Sequence, residues 1–187
     1  ARLASVSMPS RVPPRRSSRW VSVTCATRTQ LPARARSTRV SVIGRKRGTD
    51  VLRPLSAEHP DDETFEGLLI VRPEGRLFFV NAQYVGEQIN ALVAEHKPRV
   101  LAIDMSRVPD IEYSALQAII EGERRATEHG AAMWLVGLNP GVLEVVRKAG
   151  LDQRLGRERM LFNAREAIER YRAMPAKAAE EAHPAAS

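Results

Sequence analysis

From about residue 67 onward, short continuous apolar runs alternate with longer stretches in which apolar residues recur every three or four positions. That is the pattern of strands alternating with amphipathic helices. Gly67-Leu68-Leu69-Ile70-Val71-Arg72 has the length of a strand, Pro73-Glu74-Gly75 reads as a turn, and Arg76-Leu77-Phe78-Phe79-Val80 reads as a second strand, so the pair predicts a β-hairpin. Asn81 can cap a helix reaching about Glu95, with Tyr84, Val85, Gln88, Ile89, Leu92 and Val93 near 3.6-residue spacing; Lys97-Pro98 stops it. Arg99 to Asp104 is a continuous apolar run, as expected of a central strand covered on both faces.

Met105 to Glu112 reads as a loop leading into a helix from about Ser114 to Glu128, which His129-Gly130 closes in the manner of a glycine C-cap. Ala131 to Val136 is the next buried strand. Asn139-Pro140 then places a capping residue before a proline at the first helical position, and Gly150 ends that helix. Leu151 to Arg159 reads as loop and Met160-Leu161-Phe162 as a short edge strand. Asn163-Ala164-Arg165-Glu166 is a capping box opening a last helix to about Met174. The order β-β-α-β-α-β-α-(β)-α predicts an α/β fold: a mostly parallel sheet of four to five strands with right-handed crossovers and an N-terminal β-hairpin.

Composition divides the chain further. Lys and Arg outnumber Asp and Glu by 29 to 22, a balance that would ordinarily point to nucleic acid or an anionic surface. Twelve of those basic residues, and no acidic one, fall in the first 49 positions, so the remaining 138 residues hold 17 basic against 22 acidic side chains. The predicted domain is therefore mildly acidic and nucleic acid is not its expected partner. Residues 1–40, rich in Arg, Ser and Pro, lack periodicity and are expected to be a disordered basic arm. Residues 41–65, punctuated by Gly and Pro, are expected as extended linker, 66–174 as the domain, and 175–187 as a disordered Ala-rich tail. The one cysteine, Cys25, excludes an internal disulfide, and His59, His96, His129 and His183 lack metal-ligand spacing. No apolar run approaches the roughly 20 residues of a membrane span.

In an open α/β sheet the functional crevice lies beyond the carboxyl ends of the strands, here the loops after Asp104 and Val136. The first loop offers Asp104, Ser106, Asp110, Glu112, Tyr113, Ser114 and Gln117 as an interaction surface. Ser114 is placed at a helix start, where unpaired N–H groups favour an anion, including a phosphoryl group on that serine. Ser114-Ala115-Leu116-Gln117 is also a capping box, which needs no function beyond starting the helix. Asn139 and Gly141 mark a second helix-start anion site. No phosphate-cradling glycine loop, metal set or Ser/His/Asp or Cys/His constellation is present, so neither an enzyme nor a cofactor or metal is expected. Phe78, Phe79, Tyr84 and Trp134 are expected in the core.

The strand ending in Asp104-Met105-Ser106, the segment Asp110-Ile111-Glu112-Tyr113-Ser114-Ala115-Leu116, and Asn139-Pro140-Gly141-Val142-Leu143-Glu144 through Gly150-Leu151 together resemble a STAS domain. That family covers anti-sigma factor antagonists and the C-terminal domains of SulP anion transporters. Ile43-Gly44-Arg45, Gly48-Thr49-Asp50, Arg53-Pro54, His59-Pro60, Gly67-Leu68-Leu69-Ile70 and Leu77-Phe78-Phe79-Val80-Asn81-Ala82 resemble the SulP junction ahead of that domain. The resemblance implies a non-catalytic regulatory domain in the cytoplasm, at the cytoplasmic face of the membrane when part of a sulfate or anion transporter. Its implied partner is the transporter's membrane domain or another cytosolic protein, with a homo-oligomer also allowed. Two alternatives remain: a free-standing phosphoswitch modified at Ser114, and polyanion binding by the basic arm. Glu112-Tyr113 departs from the Asp-Ser-Ser/Thr context that anti-sigma factor antagonists carry before the phosphorylated position.

Overall fold

The computed structural model describes residues 38–174; the expectations attached to the basic arm before Thr38 and to the tail after Met174 lie outside them. Six strands form one sheet: β1 (Arg39–Arg45), β2 (Leu52–Pro54), β3 (Leu68–Glu74), β4 (Val100–Asp104), β5 (Ala132–Val136) and β6 (Met160–Leu161). Their spatial order is β2-β1-β3-β4-β5-β6. β1 runs antiparallel to both β2 and β3, whereas β3, β4, β5 and β6 are mutually parallel. The helices are α1 (Phe79–His96), α2 (Tyr113–Glu128), α3 (Pro140–Lys148), α4 (Leu151–Leu155) and α5 (Ala164–Ala173).

Alternation along the strands sends successive side chains to opposite faces and builds two apolar layers. Leu69, Val71, Leu101, Ile103, Met133 and Leu135 face α1 through α4. Leu68, Ile70, Val100, Ala102, Trp134 and Val136 face α5, which contributes Ala164, Ala167 and Ile168. All five residues of β4 are buried, as its uninterrupted apolar run requires of a strand with cover on both sides.

Several expectations need correction. Residues 67–80 do not form a hairpin. β3 continues through Pro73 to Glu74, past the end of its β4 pairing at Val71, and its antiparallel partner is β1. The N-terminal hairpin is made instead by β1 and β2, from residues read as arm and linker, which raises the sheet to six strands. That segment is fastened by Arg45–Glu63 and Arg53–Asp62 ion pairs, and Phe65 lies beneath the guanidinium groups of Arg45 and Arg172. The Arg53 hydrogen bond holds the Asp62 carboxyl below its usual range. Beyond Gly75, only Leu77 keeps a β-type contact, a parallel bridge to Ile111. Phe79 opens α1 and is 70% exposed, so it is not core, while Trp134 is buried as expected. Leu151–Leu155, read as loop, is helical, with Leu151 and Leu155 buried.

Asn81 is buried inside the first turn of α1 and is not its cap. Phe78 has no side-chain acceptor, so Asn81 reaches back: its Oδ1 accepts the Phe78 N–H at 2.7 Å, while its Nδ2 donates to Thr38 Oγ1 at 2.6 Å and to the Arg76 carbonyl at 2.8 Å. One amide thus joins the start of α1 to the start of β1.

Candidate functional site

The loop between β4 and α2 is stitched to the segment that precedes α1. Gly75 N–H donates to the Arg107 carbonyl, Leu77 N–H to the Asp110 carbonyl, and Glu112 N–H to the Leu77 carbonyl, at 3.0, 3.1 and 2.9 Å. Gly75 holds φ at 101°, where a side chain would be strained. An ion pair of 2.6 Å between Arg76 and Asp110 closes the same junction at the surface. What the sequence presents as an open loop is a second, irregular seam between two strand–helix units.

Asp104 is committed to structure. Its carboxylate is buried and accepts from the Arg72 guanidinium through Nε at 2.9 Å and Nη2 at 2.7 Å, and from the Ser106 N–H at 3.0 Å. Arg72 is itself largely buried, so the pair neutralises two charges beneath the carboxyl ends of β3 and β4. Gly137 packs over it with φ at 67°; a Cβ there would stand 3.2 Å from Asp104 Oδ1. A cavity of about 340 Å³ opens beside this pair, between Ser106, Gly137 and the Phe162–Arg165 start of α5.

Ser114 does not cap α2. Glu112 occupies the cap position with extended backbone, Tyr113 is the first helical residue, and Ser114 is the second, exposed. Its hydroxyl donates weakly to Glu112 Oε2 at 3.4 Å, and the same oxygen accepts the Phe79 N–H at 3.3 Å. The Glu112 carboxylate therefore spans the N-termini of α1 and α2. Tyr113, Phe79 and Val80 are 57%, 70% and 47% exposed at these two helix starts. Ser106, Asp110 and Gln117 are exposed as well. The Phe79–Val80 part of this surface was not singled out in the sequence, because an apolar run reads as buried; an exposed aromatic at a helix start has no local signal.

Asn139 behaves as the expected cap: its Oδ1 accepts the Val142 N–H at 3.0 Å. Its Nδ2 donates to the carbonyls of Val108 and Pro109 at 2.9 and 3.2 Å. The two loops expected at the sheet's carboxyl edge are thus joined through this amide. Gly141 lies exposed beside Asn139 Oδ1. On the far side of α2, Glu121 accepts from Arg124 and Arg125, whose hydrogen bonds pull its carboxyl down to about 2.

A mostly parallel sheet with an antiparallel edge, helices split unevenly over its faces and an exposed pair of helix starts defines an α/β domain of the anti-sigma factor antagonist type. A family model described as the STAS domain matches residues 59–168. The chain belongs to the STAS domain family. High affinity sulfate transporter 2 of Stylosanthes hamata is 27% identical over 143 residues, which cover 71% of this chain and 22% of that protein. The chain spans about a fifth of the length of the curated relatives it matches.

Among solved structures, the murine solute carrier 26 family member A9 anion transporter matches 71% of this chain and 22% of its own, with a TM-score of 0.60 at 16% identity. The SulP transporter STAS domain of Vibrio cholerae matches 63% of this chain and 94% of its own, with a TM-score of 0.51 at 20% identity. An anti-sigma factor antagonist from Mycobacterium paratuberculosis gives 59% and 90%, with a TM-score of 0.51 at 22% identity. At these identities the structural likeness speaks to the fold.

Proposed function

We propose that this domain is the non-catalytic regulatory and interaction module of a SulP-type sulfate or anion transporter, working at the cytoplasmic face of the membrane. The observation that carries the reading is the match, over some 140 residues, to a series of sulfate transporters, of which it covers about a fifth. No described helix is long and apolar enough to cross a membrane, so transport in this reading belongs to a membrane domain with which this one pairs. The geometry supports contact rather than catalysis. Asp104 and Arg72 neutralise each other, Asn139 is spent on the backbone, and Phe79, Val80 and Tyr113 are exposed with a polar rim around them. Exposed apolar side chains with a polar surround are the ordinary makings of a protein interface.

The test is a chimera in which residues 38–174 replace the matching segment of the Stylosanthes hamata transporter, read by sulfate uptake. Uptake restored above that of a transporter lacking the segment, and reduced by Phe79→Asp with Tyr113→Asp, is the expected result. Uptake no better than the deletion sinks the proposal.

One observation favours a second reading, a phosphoswitch: the Ser114 hydroxyl is exposed near the unpaired N–H groups that open α2. Opposing it, Glu112 Oε2 stands 3.4 Å from that hydroxyl and would repel a phosphoryl group. Phosphopeptide mass spectrometry after incubation with cell extract decides, since persistent absence of a modified Ser114 removes this reading.

A further inference from the structure

Among the described residues, the large apolar side chains that stand exposed are Val51, Phe79, Val80, Tyr113 and Phe162. All of them lie at the end of the sheet where the parallel strands finish, and the opposite end exposes none. Phe79, Val80 and Tyr113 belong to the two helix starts of α1 and α2. Val51 and Phe162, 54% and 86% exposed, form a second group. Val51 lies in the turn between β1 and β2, and Phe162 lies between β6 and α5. Asp50 and Arg165, their neighbours in sequence, pair at 3.3 Å and tie the two elements together.

Cations frame this second group. The Lys46 N–H donates to the Val51 carbonyl at 2.8 Å and the Thr49 N–H to the Lys46 carbonyl at 3.0 Å, which closes the turn and holds the exposed Lys46 and Arg47 beside Val51. Neither has an ion-pair partner among the described residues. The nearby acids are already engaged: Asp62, whose carboxyl feels Lys46, pairs with Arg53, Asp50 pairs with Arg165, and Glu166 accepts the Phe162 N–H at 2.8 Å. More positive charge joins from outside the described residues. Residues 1–37 hold eight arginines and no acid. They enter the domain at Thr38, whose hydroxyl meets Asn81 in the first turn of α1, at this same end of the sheet. At up to about 3.3 Å per residue, that segment is long enough to reach whatever surface Phe162 meets.

We infer that this end of the domain lies on an anionic lipid bilayer, with Val51 and Phe162 entering the headgroup region and Lys46, Arg47 and the arginines of residues 1–37 meeting lipid phosphates and carboxylates. A bilayer surface accepts apolar and cationic side chains side by side. Nucleic acid would engage the cations, but its phosphates offer an aliphatic side chain such as Val51 nothing. The core of a protein interface is depleted of charge, whereas here the Asp50–Arg165 pair joins the two elements that carry the apolar side chains. The inference does not need the transporter reading, because lipid binding requires no membrane domain; failure of the transporter chimera leaves it standing.

The experiment sediments the full chain with phosphatidylcholine vesicles made with and without phosphatidylserine. Binding that requires phosphatidylserine and weakens as salt rises is expected. Each basic side chain near such a surface contributes about fivefold, so Lys46→Gln with Arg47→Gln should weaken binding about 25-fold. Phe162→Ser should weaken it about tenfold through lost apolar burial. All three positions are exposed, so the far-UV circular dichroism of both variants should match the parent. Arg170→Gln is the control: it removes an exposed cation at the other end of α5, next to the Tyr171 hydroxyl that meets Arg99 ahead of β4, and should bind as tightly as the parent. Binding that ignores phosphatidylserine, that survives the Lys46, Arg47 or Phe162 changes, or that falls as far with Arg170→Gln would overturn the inference. So would tighter retention on duplex DNA than on the vesicles at equal phosphate concentration, which would assign the cations to nucleic acid.

Discussion

Removing the Asp104 charge tests whether the residue at the end of β4 is structural. The Asp104 side chain is 3% exposed and accepts three hydrogen bonds, two of them from Arg72, whose side chain is 13% exposed. Breaking a buried pair by neutralising one partner leaves the other charge without compensation, at about 3–5 kcal/mol. Arg72 retains some access to water, so Asp104→Asn should cost about 3 kcal/mol, a large share of the roughly 5–15 kcal/mol that stabilises a domain. With a urea slope of about 1.5–2 kcal/mol/M, the midpoint followed by far-UV circular dichroism should fall by about 1.5–2 M. Replacing both partners by apolar residues, Arg72→Met with Asp104→Leu, should recover most of that loss, since a buried pair exchanged for good packing is often neutral. A cost below about 1 kcal/mol for Asp104→Asn, or a double variant as unstable as the two single losses added together, would refute the assignment of this pair to structure.

Three further outcomes follow from the same contacts. Asn139→Ala removes both a helix cap and the tether to Val108 and Pro109; it should cost about 1–3 kcal/mol, and Asn139→Ser should restore the cap while amide exchange of residues 108–112 stays fast. Leu116→Ala, at a fully buried position under the start of α2, should cost about 2–5 kcal/mol in the same urea assay. Glu121 should titrate at about 2 by carboxyl NMR and return toward the ordinary 4.5 in an Arg124→Ala, Arg125→Ala variant. Because its pKa is depressed in the folded state, whatever stability it adds is complete above about pH 4.5 and lost as pH falls toward 2.

The parallel half of the fold was legible because its signals are local. The apolar runs of β4 and β5, the Asn139-Pro140 start and the Gly150 stop each depend on a few neighbouring residues, and each forms where expected. The first strands were not legible in the same way. Val40 and Val42 alternate with Arg39 and Ser41 as a half-covered strand should, but the signal merges into basic, Ser-rich sequence. Leu77-Phe78-Phe79-Val80 misled in the opposite direction. Its apolar run reads as strand, while the helix begins inside it because Asn81 is anchored to Thr38, 43 residues away. Pairing across that distance leaves no periodic trace.

The same cause displaced Ser114. Its capping box places the serine at the helix cap, yet the seam between Leu77 and Glu112 fixes Glu112 in extended backbone and makes it the cap, two residues earlier. That shift has a consequence for the site. A capping serine would spend its oxygen on the helix backbone, whereas Ser114 at the second position turns its hydroxyl outward, beside Tyr113 and the Glu112 carboxylate that also receives Phe79. Asp104, Arg72 and Asn139 are consumed in holding the loop, whereas Phe79, Val80, Tyr113 and Ser114 stand exposed beside it. A rigid seam presenting apolar side chains is suited to recognising a surface, which is why the transporter chimera with Phe79→Asp and Tyr113→Asp separates a docking role from a merely structural one. Both side chains are exposed, so their replacement should leave the stability measured by urea unfolding within about 0.5 kcal/mol of the parent while uptake falls.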